Sequence, residues 1–504
     1  CKNLVFLCSL LALTSLAYLP ELIEKTRSIE VKKYAFTKDG IYNFSNTRNV
    51  IIFVIDSAQA DVVNEVFEED QTIADKFQGF TMFRNSVSAF PKTYASIPAL
   101  LSGRSFDNSE PLPRYLKKAY IEESISARLK EAGYDARYSS SSPQSLFAHP
   151  LVAENVANVK GALVDSENVI AKDSELLANM VLFRLSPHLL KPYVYNRGDF
   201  LLTFKQSKGS KTDTATHCQL DNDARIYSKD RLSFDNILLD EFRACANGSL
   251  EEPAFRFFHL YAPHAPYRMD AAFQDIGNRP LKREWFLLQT KGALNVLGDL
   301  VEQLEERGIL EKSLVVIVSD HGEGEYNVGL NLNLSLPVRT KARSDTKQSL
   351  VRGGIPLMMV KRPQDLGDIQ YSDAPVQLTD VPATVYDWIG VSNPTEGRPV
   401  FSIEPEEKRI RTHRYYRFSG WNIDYIVPLT EYIIDGFSWY PESWVKSDTN
   451  FDYLASTSFN GQLVTLQKGG NLEGYSHSGW SDPLENGRMM NNSSATINME
   501  GTST

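Results

Sequence analysis

Two β-branched runs that each end on an acid constrain the fold of this chain more than any other feature: Ile51-Ile-Phe-Val-Ile-Asp56 and Leu314-Val-Val-Ile-Val-Ser-Asp-His321. Short continuous apolar runs read as strands buried on both faces, which is the habit of parallel sheets covered by helices. Helix signals fall where such a sheet needs them. Leu294, Leu297, Val301 and Leu304 repeat at 3-4-3 spacing and Gly308 stops that helix just before the Leu314 run; Ala127–Ala132 likewise precedes Gly133 and a strand near Tyr134–Tyr138. The alternation predicts an α/β fold with a mostly parallel central sheet sandwiched by helices.

Open α/β sheets bind ligands at the carboxyl edge of their strands. Asp56, Asp320 and His321 would meet there, two carboxylates and an imidazole, a set that suits one divalent metal ion. Zinc and manganese fit these donors; calcium or magnesium fits them less well. A turn with polar residues is the plainer reading of either segment alone. Thr93 lies in Phe90-Pro-Lys-Thr-Tyr-Ala-Ser-Ile-Pro-Ala-Leu-Leu-Ser-Gly-Arg104, at the start of a helix expected over Ser96–Leu101. Its hydroxyl could fill or flank the fourth ligand position, where a cation and the positive helix end favour the alkoxide. His264, between Pro263 and Pro266, and His259, which follows two phenylalanines, are candidate acid–base groups; a packed strand-end histidine is the other reading of His259. Arg343, Lys347 and Arg352 are candidate anchors for an anionic oxygen.

In order along the chain, these segments resemble the sulfatase-like branch of the alkaline phosphatase superfamily over roughly residues 49 to 400. Val318-Ser-Asp-His-Gly-Glu323 resembles its second metal motif, and Phe258-His-Leu-Tyr-Ala-Pro-His-Ala-Pro-Tyr267 its substrate-side histidine motif. Arg352-Gly-Gly-Ile-Pro-Leu357 and Gln377-Leu-Thr-Asp-Val-Pro-Ala-Thr384 resemble a late strand and the helix after it. Three departures point from sulfate toward phosphate. Thr93 stands where sulfatases carry the Cys or Ser that becomes formylglycine; Ser139–Ser142 stand where they place a Gly-Lys-Trp-His sequence; and Asp56-Ser57 stands in place of paired aspartates. Thr93-Tyr-Ala-Ser-Ile-Pro98 is similar to the Thr-x-x-Ser-x-Pro pattern of membrane phosphoethanolamine transferases, relatives of the lipoteichoic acid synthases. The resemblance implies transfer of phosphoethanolamine or phosphoglycerol from a phospholipid to an envelope glycan or lipid through a phosphothreonine. The alternatives are a phosphodiesterase or another ester hydrolase of the family, and a binding protein without activity. A histidine that the family carries shortly before Ser349-Leu350 is Thr346 or Lys347 here, which speaks against a second metal.

Residues 4–19 carry no charge and read as part of a membrane helix over 1–20, with a signal peptide as the rival. The expected organisation continues with a stalk over 21–48, the catalytic domain over 49–400 and a C-terminal subdomain over 401–480. Within that subdomain Arg409–Tyr416, Asp424–Pro428 and Tyr432–Trp439 predict a small antiparallel sheet. Residues 481–504, rich in Ser, Asn, Thr and Gly, predict a disordered tail. Cys218 and Cys245 could pair as a disulfide in an exported domain or remain thiols. With 53 basic and 63 acidic residues the net charge is −10, which disfavours nucleic acid as a partner. Membrane attachment with a periplasmic or extracellular catalytic domain is the expected setting.

Overall fold

The structure is a computed structural model. It describes residues 32–140, 231–324, 346–416 and 428–449 without interruption, and shorter runs elsewhere. The chain divides into two compact units, residues 1–35 with 160–219 and residues 36–159 with 220–504. The first includes the short helix Lys191–Tyr195. The second holds the central sheet.

That sheet has seven strands: β1 (Asn49–Ile55), β2 (Thr81–Phe83), β3 (Asp135–Ser140), β4 (Ala254–Leu260), β5 (Ser313–Val318), β6 (Met358–Lys361) and β7 (Gln370–Ser372). Their spatial order is β7-β2-β6-β5-β1-β4-β3. β5, β1, β4 and β3 run parallel. β6 is antiparallel to β5 and to β2, and β7 is parallel to β2. Only β6 therefore opposes the rest, and the expected mostly parallel sheet is what forms.

Both apolar runs lie at its centre, and every residue of β1 and of β5 is buried. Alternation sends Val50, Ile52 and Val54 into one core and Ile51, Phe53 and Ile55 into the other. Side chains of this kind contribute roughly 1.5–3 kcal/mol each when fully buried, so two filled faces fix the register of the strands that carry the acids. The first core is covered by α2 (Thr93–Ser102), α3 (Ile125–Glu131) and α6 (Val381–Ile389); the second packs against α1 (Ala60–Glu69) and α4 (Arg283–Glu306). Gly308, at φ +63°, ends the α4 unit as its sequence predicts. Arg352 belongs to helix α5 (Thr346–Gly354), and the late strand begins only at Met358.

The small antiparallel sheet also forms: β8 (Arg411–Tyr415) falls within the expected Arg409–Tyr416, β9 (Thr430–Ile434) overlaps the start of the expected Tyr432–Trp439, and the third strand is β10 (Trp444–Lys446). Residues 424–426 are not a strand, because their backbone bonds go elsewhere: Asp424 O accepts from Leu112 N and Ile426 N donates to Asn108 Oδ1. Residues 36–48, placed by sequence in a stalk, pack instead. Ile41, Tyr42 and Phe44 are buried, and Asn43–Ser45 pairs in parallel with Asn247–Leu250. No helix among the described residues is long and apolar enough to cross a membrane; the anchor expected over 1–20 lies outside them. Of the expected tail, Ile497–Asn498 is described, paired with Thr465 and Leu466.

Candidate metal and nucleophile centre

β1 and β5 are neighbours in register, with Val54 opposite Val318, so the residues that follow them emerge side by side at one edge. Asp56 is buried there, its N–H donating to Leu260 O at 3.0 Å. Asp320 is fully buried and His321 nearly so. His321 Nε2 lies 3.7 Å from Asp56 Oδ1 and 3.4 Å from Asp320 Oδ2, and one donor atom from each of the three residues lies within 4.8 Å of the others.

The imidazole's tautomer follows from its second contact. His321 Nδ1 lies 2.8 Å from Gly322 O; a carbonyl only accepts, so Nδ1 carries the proton and Nε2 presents its lone pair to the carboxylates. Asp320 Oδ1 accepts from the N–H groups of His321 (3.0 Å) and Ser57 (3.3 Å). Its Oδ2, buried, has no hydrogen-bond partner among the described residues. A buried carboxylate oxygen without a donor is costly, and a cation at this point would remove that cost. Burial and the neighbouring Asp320 push the Asp56 carboxyl well above its ordinary range. For Asp320 burial works in the same direction, but the positive charge that His321 and His259 carry when protonated holds it low. The two acids thus share their protons unequally, as like charges in one site do. The donor set fits one divalent cation held by Asp56, Asp320 and His321.

Thr93 Oγ1 completes the cluster at 3.3 Å from His321 Nε2. Its helix begins three residues earlier than expected, because Lys92 is extended (φ −142°) and Thr93 is the first helical residue of α2. The helix is pinned to the metal strand by Ser96, whose hydroxyl donates to Asp320 O, and Gly103 closes it in the left-handed region with N–H to Ala99 O at 2.8 Å. Thr93 therefore sits where the helix dipole is positive. Gly322 lets the Asp320–Glu323 loop approach α5: a Cβ there would meet Arg352 O at 2.0 Å.

His259 is the penultimate residue of β4, next to β1, with Nε2 3.9 Å from Asp56 Oδ2. His264 follows on the loop beyond it; its Nδ1–H donates to Ala265 O at 2.6 Å, which leaves Nε2 as its basic nitrogen, and its ring packs on Tyr261 at 4.8 Å. Arg352 is buried, with Nε 3.4 Å from the Glu323 carbonyl. Lys347, on the same helix, is exposed. Cys245 ends the helix Arg231–Cys245 and is half-buried; Cys218, like Arg343, lies outside the described residues.

Several contributors were not singled out by sequence. Gln289, fully buried, holds the His264 loop with Nε2–H bonds to Pro263 O and His264 O (both 3.0 Å) and accepts from Arg268 N (2.7 Å) and Met269 N (2.9 Å). An amide on the buried stripe of α4 was the available signal. Asp235 accepts from Tyr261 N (3.0 Å) and Ala262 N (2.8 Å) in the same loop. His413 on β8 is fully buried, its Nδ1–H donating to Ser88 O at 2.8 Å.

A family model described as "Sulfatase" matches residues 48–391. No curated protein matches the chain in sequence. Solved structures similar to it include the lipoteichoic acid synthase LtaP from Listeria monocytogenes, 12% identical over 85% of this chain and 91% of that one, with a TM-score of 0.43. The phosphonate monoester hydrolase SpPMH from Silicibacter pomeroyi is 15% identical over 78% and 87%, at 0.42. BT1596, a 2-O GAG sulfatase, is 13% identical over 79% and 84%, at 0.41. These likenesses are too distant to carry one protein's reaction over to another.

Proposed function

Because the chain belongs to the sulfatase family, we propose that it is a metal-dependent transferase. In this reading it moves a phosphoethanolamine or phosphoglycerol group from a phospholipid to an envelope glycan or lipid. The observation that carries the reading is the Thr93 hydroxyl beside the Asp56–Asp320–His321 cluster. Threonine has no route to formylglycine: its hydroxyl is secondary, and oxidation would give a ketone instead of an aldehyde. The side-chain oxygen itself is then the nucleophile.

A divalent cation held by Asp56, Asp320 and His321 would lower the pKa of the Thr93 hydroxyl and offset the charge of the phosphodiester. Thr93 Oγ1 attacks phosphorus and the lipid alcohol leaves, giving a phosphothreonine diester; a second alcohol then takes the group and frees Thr93. His264 Nε2 can protonate the leaving oxygen and later accept the proton of the incoming alcohol. Arg352, near Glu323, and Lys347 are candidate contacts for the phosphate. The apolar segment 4–19 would tether the enzyme to the membrane that supplies its donor, with the catalytic unit periplasmic or extracellular.

The test is incubation of the protein with Mn²⁺ or Zn²⁺ and phosphatidylethanolamine or phosphatidylglycerol, followed by peptide mass spectrometry. A phosphoethanolamine or phosphoglycerol adduct on Thr93, absent in Thr93→Ala, supports the transferase. Metal-dependent hydrolysis of a soluble diester with no adduct and no acceptor product replaces it with the hydrolase.

A further inference from the structure

Ser57 follows the first acid of the site and is buried, with φ +65°. It occupies a turn in which Ala58 N donates to Ile55 O at 3.2 Å, a backbone position that suits glycine and strains other residues. A chain that needed only the turn would be more stable with glycine there. Serine has a second contact to make. Its N–H donates to Asp320 Oδ1 at 3.3 Å and its hydroxyl to Asp56 Oδ1 at 3.1 Å. One residue therefore reaches both carboxylates, although Asp320 lies 263 positions away.

We propose that Ser57 is a positioning residue that holds one oxygen of each acid and so fixes how Asp56 and Asp320 are presented to a cation. This rests on the metal-site reading above and extends it to a residue that does not itself bind the ion. At Asp320 the assignment is clear. Oδ1 is held by the N–H groups of Ser57 and His321, and Oδ2, the oxygen without a partner among the described residues, is the one that faces His321 Nε2. At Asp56 the Ser57 hydroxyl fixes the rotation of the carboxylate. Outer partners of this kind tune metal affinity about 10- to 100-fold.

The backbone conformation supplies a clean test. Ser57→Gly keeps the N–H, relieves the strained φ and removes the whole hydroxymethyl side chain; Ser57→Ala removes only the hydroxyl and keeps the strain. The full-length wild type and both variants are titrated with Mn²⁺, and the d–d absorption of their Co²⁺ forms is recorded together with metal-free melting temperatures. The expected result is Mn²⁺ affinity weakened by about 10- to 100-fold in both variants, with an altered Co²⁺ spectrum, while metal-free Ser57→Gly melts no lower than wild type. Wild-type Mn²⁺ affinity and an unchanged Co²⁺ spectrum in Ser57→Gly overturn the positioning role and leave the metal site intact. A wild type that binds neither ion overturns the metal-site reading and this inference with it.

Discussion

At the scale of single residues, the role proposed for the Thr93 hydroxyl is one that its closest substitutes should separate. Thr93→Ala removes the only oxygen this side chain offers and should lower turnover by about 10³-fold or more. Thr93→Ser keeps that oxygen and should retain turnover within about tenfold; steady-state rates on a soluble phosphodiester check both. His413 makes a different prediction, about stability. Burial, aided by His321 and opposed by the bond to Ser88, lowers its pKa from 6.5 to about 4, so it is neutral in the fold. As pH falls below 6.5 the unfolded chain takes up this proton first. The associated stability is complete above that pH and is lost between about 6.5 and 4, up to about 3 kcal/mol at 1.36 kcal/mol per pH unit. His413→Gln cannot titrate, so its unfolding free energy should fall less steeply than that of wild type from pH 7 to pH 4.5; equal slopes would refute the assignment.

At the scale of elements, Gln289 shows how a helix far from the acids in sequence shapes the edge where they sit. Gln289→Leu preserves volume but strips a partner from three carbonyls and two N–H groups of the His264 loop. A stability loss of about 2–4 kcal/mol is expected, measured by denaturant unfolding, together with reduced turnover as His264 loses its fixed position. The same helix shows what sequence could convey. Its apolar stripe and closing Gly308 are local patterns, as are the β1 and β5 runs, so the sheet and both acids could be read from periodicity. The Ser57 turn, the Gln289 bonds and the approach of β8 to Ser88 depend on partners tens to hundreds of residues away, and no local period records them. The supposed strand at Asp424–Pro428 failed for the same reason: its aromatic and β-branched content was suitable, but Asn108 and Leu112 claim its backbone. The stalk was misread because Ile41, Tyr42 and Phe44 are too few to form a period of their own, yet the Asn247–Leu250 strand gives them a place in the core.

At the scale of the whole molecule, two buried carboxylates at the carboxyl edge of the central strands make stability depend on what lies between them. Without a cation, Asp56 has its pKa raised by burial and by Asp320. A raised carboxyl pKa contributes stability below the unfolded value of 3.8, and that contribution is lost as pH rises through the folded value. The metal-free protein is therefore penalised at this site at neutral pH, and a cation bound only to the folded state offsets the penalty. With the free ion at about 100 times its dissociation constant, the gain is about 2.7 kcal/mol. Mn²⁺ or Zn²⁺ should raise the melting temperature, and by more at pH 8 than at pH 5, because protons compete for the same oxygens. Asp320→Asn should reverse both parts of this behaviour. It removes one of the facing charges and keeps the shape of the side chain, so the metal-free variant should melt at or above wild type and show little further rise with metal. Calorimetric scans of both proteins, with and without Mn²⁺ at the two pH values, decide the matter. A variant that melts well below metal-free wild type would mean that Asp320 serves the fold, and an undiminished metal shift in that variant would mean that the cation binds elsewhere.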